Sequence, residues 1–357
     1  LDVVAHAHTR TTTATTSSDK SSSTRTGKTG NLDNSFLLAL FHFPFPNLDN
    51  MCRPTTTATQ AAPKQHPLLL ISLDSYVCEN GKIPPTNSIL ATGSLILIGL
   101  ICVEMALRYA FDAVQDYHPV LESETNRQIL ARHIGVDSLS CFIVAYFGYQ
   151  GKYLLEDIYD AAVLKKKTMP VAAFDKRLYT YHPDGFRICV FFLFYQLKNL
   201  YDTIVWHDGP EFIMHHVLCI FTCLGALFPG SALPYVPFYF GVSEISTAVL
   251  CLLANFDDEH GAIGLGEAWP MGKMVLGGIF AVLFIICRVF MWSTISFYYC
   301  RDAWNALSVK DDPRMLARQT WLRFTFVSLG ALSVLQVVWL GEIFTIGKEE
   351  MQKAGFL

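Results

Sequence analysis

From residue 88 onward the chain strings together apolar runs long enough to cross a bilayer, which commits it to helices packed within a membrane. The runs cover residues 88–111, 129–149, 185–206, 211–228, 232–255, 273–299 and 321–344. At about 1.5 Å of rise per residue, each is of a length to cover a hydrocarbon core roughly 30 Å thick. Residues 207–210 alone separate the third run from the fourth, and 229–231 the fourth from the fifth. Such short turns force antiparallel neighbours. The expected fold is therefore an all-α polytopic membrane protein with about seven transmembrane helices.

Composition agrees with this class. Of 357 residues 52% are hydrophobic and only 16% charged, too apolar and too charge-poor for an ordinary soluble domain. The net charge of −4 comes with no long basic run and no basic–aromatic interleaving, which excludes nucleic acid as a partner.

Residues 1–87 read differently. Residues 9–29 form a Thr/Ser tract and 54–67 a second Thr/Pro/Gln-rich stretch; neither can bury a core, so this leader is expected to be disordered. Its first methionine, Met51, is a candidate start of translation. The apolar stretch 35–46 is too short to span and is cut by prolines. The expected organisation is leader 1–87, an amino-terminal span at 88–111, a main domain at 124–346 and a short tail at 347–357.

Cys102, Cys141, Cys189, Cys219, Cys223, Cys251 and Cys287 lie inside apolar runs without metal-ligand spacing, and read as small packing residues. No metal site is expected. Loop charge sets an orientation: Lys152, Lys165, Lys166, Lys167, Lys176 and Arg177 follow the second run, and Arg301, Lys310, Arg314 and Arg318 follow the sixth. The positive-inside rule places both loops and the amino terminus in the cytoplasm and the carboxyl terminus outside.

Ionisable residues within the runs form spaced sets. Glu104 and Arg108, His133 and Asp137, and Lys198 and Asp202 are each four apart, a spacing that stacks both side chains on one helical face. Four others resist a reading as snorkelling or locally paired groups. His215 and His216 lie at the head of the fourth run, Glu244 is mid-run in the fifth, and Arg288 is central in the sixth. An arginine at that depth requires a carboxylate or phosphate partner, and Glu244 and Asp202 are the candidates. Asp202 also lies just across the short turn from the histidines. A neutral imidazole can serve as general base or nucleophile, with a carboxylate orienting it. Adjacent histidines point about 100° apart on a helix, so one faces the centre and the other orients it or binds elsewhere. A structural histidine pair and a metal site are the rival readings.

These landmarks resemble a known family. Tyr201-Asp202, then Glu211-Phe212-Ile213-Met214-His215-His216-Val217-Leu218, then Glu244-Ile245-Ser246-Thr247, Arg288, and Trp339 with Ile343 look like the TLC-domain family, which includes translocating-chain-associating membrane proteins, ceramide synthases and the ceroid-lipofuscinosis-linked protein. Asn126-Arg127 followed by His133 is similar to the start of that domain. The resemblance covers residues 124–346 and implies a six-helix lipid-handling bundle with a central polar cavity, in the endoplasmic reticulum or another endomembrane.

In ceramide synthases the matching histidine pair lies in the active site, where a fatty acyl group passes from acyl-coenzyme A to a sphingoid base. Those enzymes carry a His-Asp pair and a further Asp about 25 to 30 residues after the double histidine; here that stretch reads Phe240-Gly241-Val242-Ser243-Glu244 and keeps one acid. The Glu-Ile-Ser-Thr run instead looks like the TLC-domain-containing branch, linked to membrane lipid composition and ceramide balance. Ceramide synthases also place the carboxyl terminus in the cytosol, opposite to the loop-charge reading.

Two functions stand at this point. One is acyl transfer with His215 or His216 as base or nucleophile, Asp202 and Glu244 as orienting carboxylates, and Arg288 holding a lipid or coenzyme phosphate. Acyl-coenzyme A would be a substrate and no bound cofactor is expected. The other is non-catalytic binding, sensing or trafficking of a sphingoid base, ceramide or phospholipid.

Overall fold

The computed structural model describes residues 77–78, 81–82, 84–159, 174–228, 230–257, 260–309 and 311–353. The Thr/Ser/Pro-rich stretches of the leader and the last four residues of the tail lie outside the described residues. A two-residue antiparallel pairing of Val77–Cys78 with Gly81–Lys82 precedes the helices.

Seven main helices come after it: α1 (Thr86–Ala113), α2 (Glu124–Leu155), α3 (Pro183–Trp206), α4 (Pro210–Leu227), α5 (Leu233–Ala254), α6 (Pro270–Ser308) and α7 (Pro313–Lys353). Prolines open α3, α4, α6 and α7. At a first helical position the missing N–H costs no intrahelical bond and φ is already set, so these prolines mark where each helix begins. The α3–α4 turn is closed by His207 at φ 59° and Gly209 at φ 124°. Glycine removes the Cβ clash that such backbone otherwise incurs.

Among the described residues six helices are long and apolar enough to cross a membrane; α4, with its apolar part at Phe212–Leu227, is shorter than the other six. The fold is thus an all-α polytopic bundle. α3 forms its axis, with 72% of its apolar window buried against 11% in each of α6 and α7. Most of α6 and α7 is therefore left uncovered by the rest of the described chain. One core cluster surrounds the Phe-rich run of α3, joining Ile89 and Leu100 of α1, Cys141 and Val144 of α2, and Cys223 and Leu227 of α4. A second joins the short helix Phe174–Tyr179 to α5, α6 and α7 through Leu178, Tyr235, Phe238, Trp292, Tyr299 and Leu322.

Helices α2 and α5 cross at near backbone contact. A Cβ on Gly148 would lie 2.5 Å from the Pro237 carbonyl oxygen and 2.7 Å from Gly241 Cα, so both helices need glycine there. A second device sets their register. Each of α2, α5 and α6 contains a π turn, at His133–Ser138, Phe238–Val242 and Ile285–Met291. Such turns insert an extra residue and rotate the remainder of the helix, and they recur at functional sites. Here they explain a departure from the sequence reading: His133 and Asp137, four apart, are not paired. Asp137 instead faces Arg132 at 3.8 Å.

Candidate functional site

The π turns of α5 and α6 lie beside the polar centre. Glu244 opens the regular part of α5 directly after one, and Arg288 sits inside the other. Arg288 Nη2 donates to Glu244 Oε1 at 2.9 Å and to Thr247 Oγ1 at 2.8 Å, and its Nε donates to Ser246 Oγ at 3.3 Å. The guanidinium also stands 5.5 Å from the Trp292 ring centroid. Glu244 is 7% exposed; Cys141 Sγ lies 3.7 Å from its other oxygen, and Tyr195 Oη lies 3.3 Å from that thiol. The Glu-Ile-Ser-Thr run thus supplies three side chains to one arginine. A buried arginine left without this set would carry a large desolvation cost.

The two histidines diverge, as their adjacency requires. His216 is buried, and its Nδ1 meets Gln196 Oε1 of α3 at 2.6 Å. With the Gln196 carbonyl accepting, Nδ1 carries the proton and Nε2 keeps the lone pair. His215 is exposed on α4, with Glu244 and Arg288 within electrostatic range. Its Nε2 is 3.7 Å from Cys219 Sγ one turn on, and the two imidazoles stack edge to face at 5.3 Å.

Asp202 does not join them. Lys198 donates to it and also to Glu104 Oε2 at 2.9 Å, and Glu104 accepts from Arg108 Nη2 at 2.5 Å. Two of the predicted i,i+4 pairs therefore merge into a four-residue network between α1 and α3. With its carboxylate engaged by Lys198, Asp202 is not positioned as the orienting group for a histidine. The turn beyond it carries Asp208, which receives a two-pronged bond from Arg132 of α2.

Arg288 meets Glu244, one of the two carboxylates expected as its partner. Gln196 and Arg132 were missed in the sequence: the only signal was a polar residue in the apolar run Phe191-Phe192-Leu193-Phe194-Tyr195-Gln196, and a single helix gives no sign of what lies opposite. Asn126 and Arg127, two of the landmarks, serve structure. Asn126 Nδ2 donates to the Val120 and Ile263 carbonyls and its Oδ1 accepts from Ile263 N, while Arg127 binds Asp112 and the Leu121 and Glu122 carbonyls. Among the described residues no three His, Cys, Asp or Glu side chains gather in a group able to hold a metal.

The family model for the TLC domain matches residues 122–345, which takes in α2 to α6, most of α7 and every residue of the histidine and Glu244–Arg288 centres. The chain belongs to the TLC-domain family. No curated protein and no solved structure matches it. In this TLC-domain protein α1 packs outside the matched region, yet it contributes Glu104 and Arg108 to the network that holds Asp202. The TLC-domain protein is thus an integral membrane protein.

Proposed function

We propose that this TLC-domain protein handles lipids of an endomembrane, such as the endoplasmic reticulum, and transfers an acyl group from an acyl thioester to a lipid amine or hydroxyl. Acyl-coenzyme A and a sphingoid base are the substrate classes that the ceramide-synthase resemblance implies; the Glu-Ile-Ser-Thr run points to the TLC-domain-containing branch, with an effect on lipid composition or ceramide balance. The observation that carries the reading is His215, exposed and within electrostatic range of the Glu244–Arg288 pair while its neighbour is fixed by Gln196.

In this reading a neutral imidazole nitrogen of His215 takes the proton of the acceptor amine or hydroxyl as that group attacks the thioester carbonyl. The C–S bond then breaks and the proton passes to the departing thiolate. His216 is a positioning residue, anchored at Nδ1 and packed against the His215 ring. Glu244 and Arg288 form the polar wall.

One observation favours non-catalytic lipid binding as a second reading: Glu244 and Arg288 neutralise each other, so neither is free to act on a substrate phosphate or to orient His215. Turnover and lipid retention measured on the same purified protein separate the two. Under acyl transfer, His215→Ala lowers turnover by about 10²–10⁴-fold, the usual contribution of a general base, and leaves bound lipid in place. Equal loss of turnover and retention sinks that reading, and lipid held by a parent protein without turnover supports the second.

A further inference from the structure

Cys219 reads from the sequence as a packing residue, yet on α4 it sits one turn beyond His215, its Sγ 3.7 Å from the imidazole Nε2. A separation of four residues holds both side chains on one face of the helix. His215 is exposed and Cys219 partly exposed, whereas Cys141, Cys189, Cys223 and Cys287 are buried. Among the described residues, Cys219 is the cysteine that both keeps accessible surface and meets an imidazole. The imidazole has support of its own: the His216 ring stands edge to face against it, and Gln196 fixes His216. A thiol, a base within its reach and a group that orients the base are the parts of an activated nucleophile. With the thiol donating, Nε2 of His215 is the acceptor and holds the lone pair that receives the proton.

We infer that Cys219 carries the acyl group as a covalent thioester between the two substrates. The inference rests on the acyl-transfer reading above and divides that transfer into two half-reactions, each with His215 as the base. In the first, His215 Nε2 takes the thiol proton as Cys219 Sγ attacks the carbonyl carbon of an acyl thioester such as acyl-coenzyme A. An Sγ–C bond forms, the C–S bond to the carrier breaks, and the imidazolium returns the proton to the departing thiolate. The products are acyl-Cys219 and the free carrier thiol. One thioester replaces another, so no oxidant or reductant is involved and the exchange is close to balanced. In the second, His215 takes the proton of the lipid amine or hydroxyl as that group attacks the acyl-Cys219 carbonyl. Sγ leaves with the bonding electrons and recovers the proton, which releases the amide or ester and restores the thiol.

The test incubates the full chain in phosphatidylcholine vesicles with palmitoyl-coenzyme A alone, then reads intact mass and maps acylated peptides. One palmitoyl group is expected on the peptide that contains Cys219, removable by neutral hydroxylamine as a thioester is. Sphinganine, an amine acceptor, or a monoacylglycerol, a hydroxyl acceptor, should then discharge it into the matching amide or ester. His215→Ala slows formation of the adduct by about 10²–10⁴-fold, the usual contribution of a general base. Cys219→Ser keeps the size and the hydrogen-bonding reach of the side chain, so a packing role would leave turnover unchanged; loss of both adduct and turnover is expected. Turnover in the parent without an adduct on Cys219, or turnover that survives Cys219→Ser, overturns the proposal and leaves the acyl-transfer reading standing. An adduct that neither acceptor discharges is a static modification and overturns it as well. Absence of both adduct and turnover in the parent removes the two readings together. If Cys219→Ser fails to fold, the parent's adduct and its discharge decide.

Discussion

Glu244 of α5 and Arg288 of α6 meet at 2.9 Å, each placed by a π turn in its own helix. The two residues are forty-four apart in the chain, and neither helix alone contains a reason for the contact. Rotation caused by the extra residue in each turn brings them face to face.

Removing one partner from this pair leaves an uncompensated buried charge. Arg288→Met is expected to cost about 3–5 kcal/mol of stability, as for other broken buried pairs. Adding Glu244→Gln to Arg288→Met recovers part of that loss, because the orphaned charge disappears with it. Thermal unfolding of the single and double variants in detergent checks this; simple additivity would contradict the pairing.

Gly148 marks where α2 lies against α5. Gly148→Ala drives a methyl into the Pro237 carbonyl oxygen and the Gly241 backbone, and is expected to cost about 1–3 kcal/mol through forced backbone movement. Gly330→Ala, with no heavy atom within 4 Å of the added Cβ, is the control and should be neutral or slightly stabilising. Matching melting shifts for the two variants would refute the close crossing.

Gln196 decides which nitrogen of His216 carries the proton. Gln196→Leu leaves the buried Nδ1–H unpaired, at a cost of about 1–3 kcal/mol, and frees the imidazole to exchange tautomers. Nitrogen chemical shifts of labelled histidine should report one dominant tautomer at His216 in the parent and a mixture in the variant. A mixture already present in the parent would remove Gln196 from the site.

Tyr179 lies outside the spans, on the short helix Phe174–Tyr179, with the guanidinium groups of Arg314 and Arg318 at 5.0 and 5.3 Å from its ring centroid. Burial is the main cause that pushes its phenol up to about 12 from the ordinary 10, with Asp312 adding to it. A raised folded value favours the neutral form, so its contribution is complete below pH 10 and is lost as pH climbs from 10 to 12. Tyr179→Phe should therefore flatten the alkaline fall in melting temperature over that window. An unchanged slope would show that the phenol titrates normally.

Much of the scaffold was legible because transfer into lipid is a local property of a sequence. Apolar runs and the i,i+4 pairs Glu104–Arg108 and Lys198–Asp202 all depend on neighbours within one helix. The pair His133–Asp137 failed by the same logic, since a π turn alters the spacing on which the reasoning relied.

The candidate site was legible as a set of residues and illegible as an arrangement. His215, His216, Glu244 and Arg288 stood out because ionisable groups are costly at membrane depth. Asp202 stood out equally, yet Lys198 and Glu104 hold it apart from the histidines. Gln196 carries no charge and gave almost no signal, although it fixes an imidazole.

By itself, then, the sequence determined that this chain crosses a membrane as a helical bundle, where most of its helices begin, and which side chains were too costly to bury without partners. The tertiary structure alone decided who those partners are. Burial cost is a property of each residue and its own helix, whereas pairing across helices depends on rotation, depth and register, and those were set by two facing glycines, a four-residue turn and three π turns acting together.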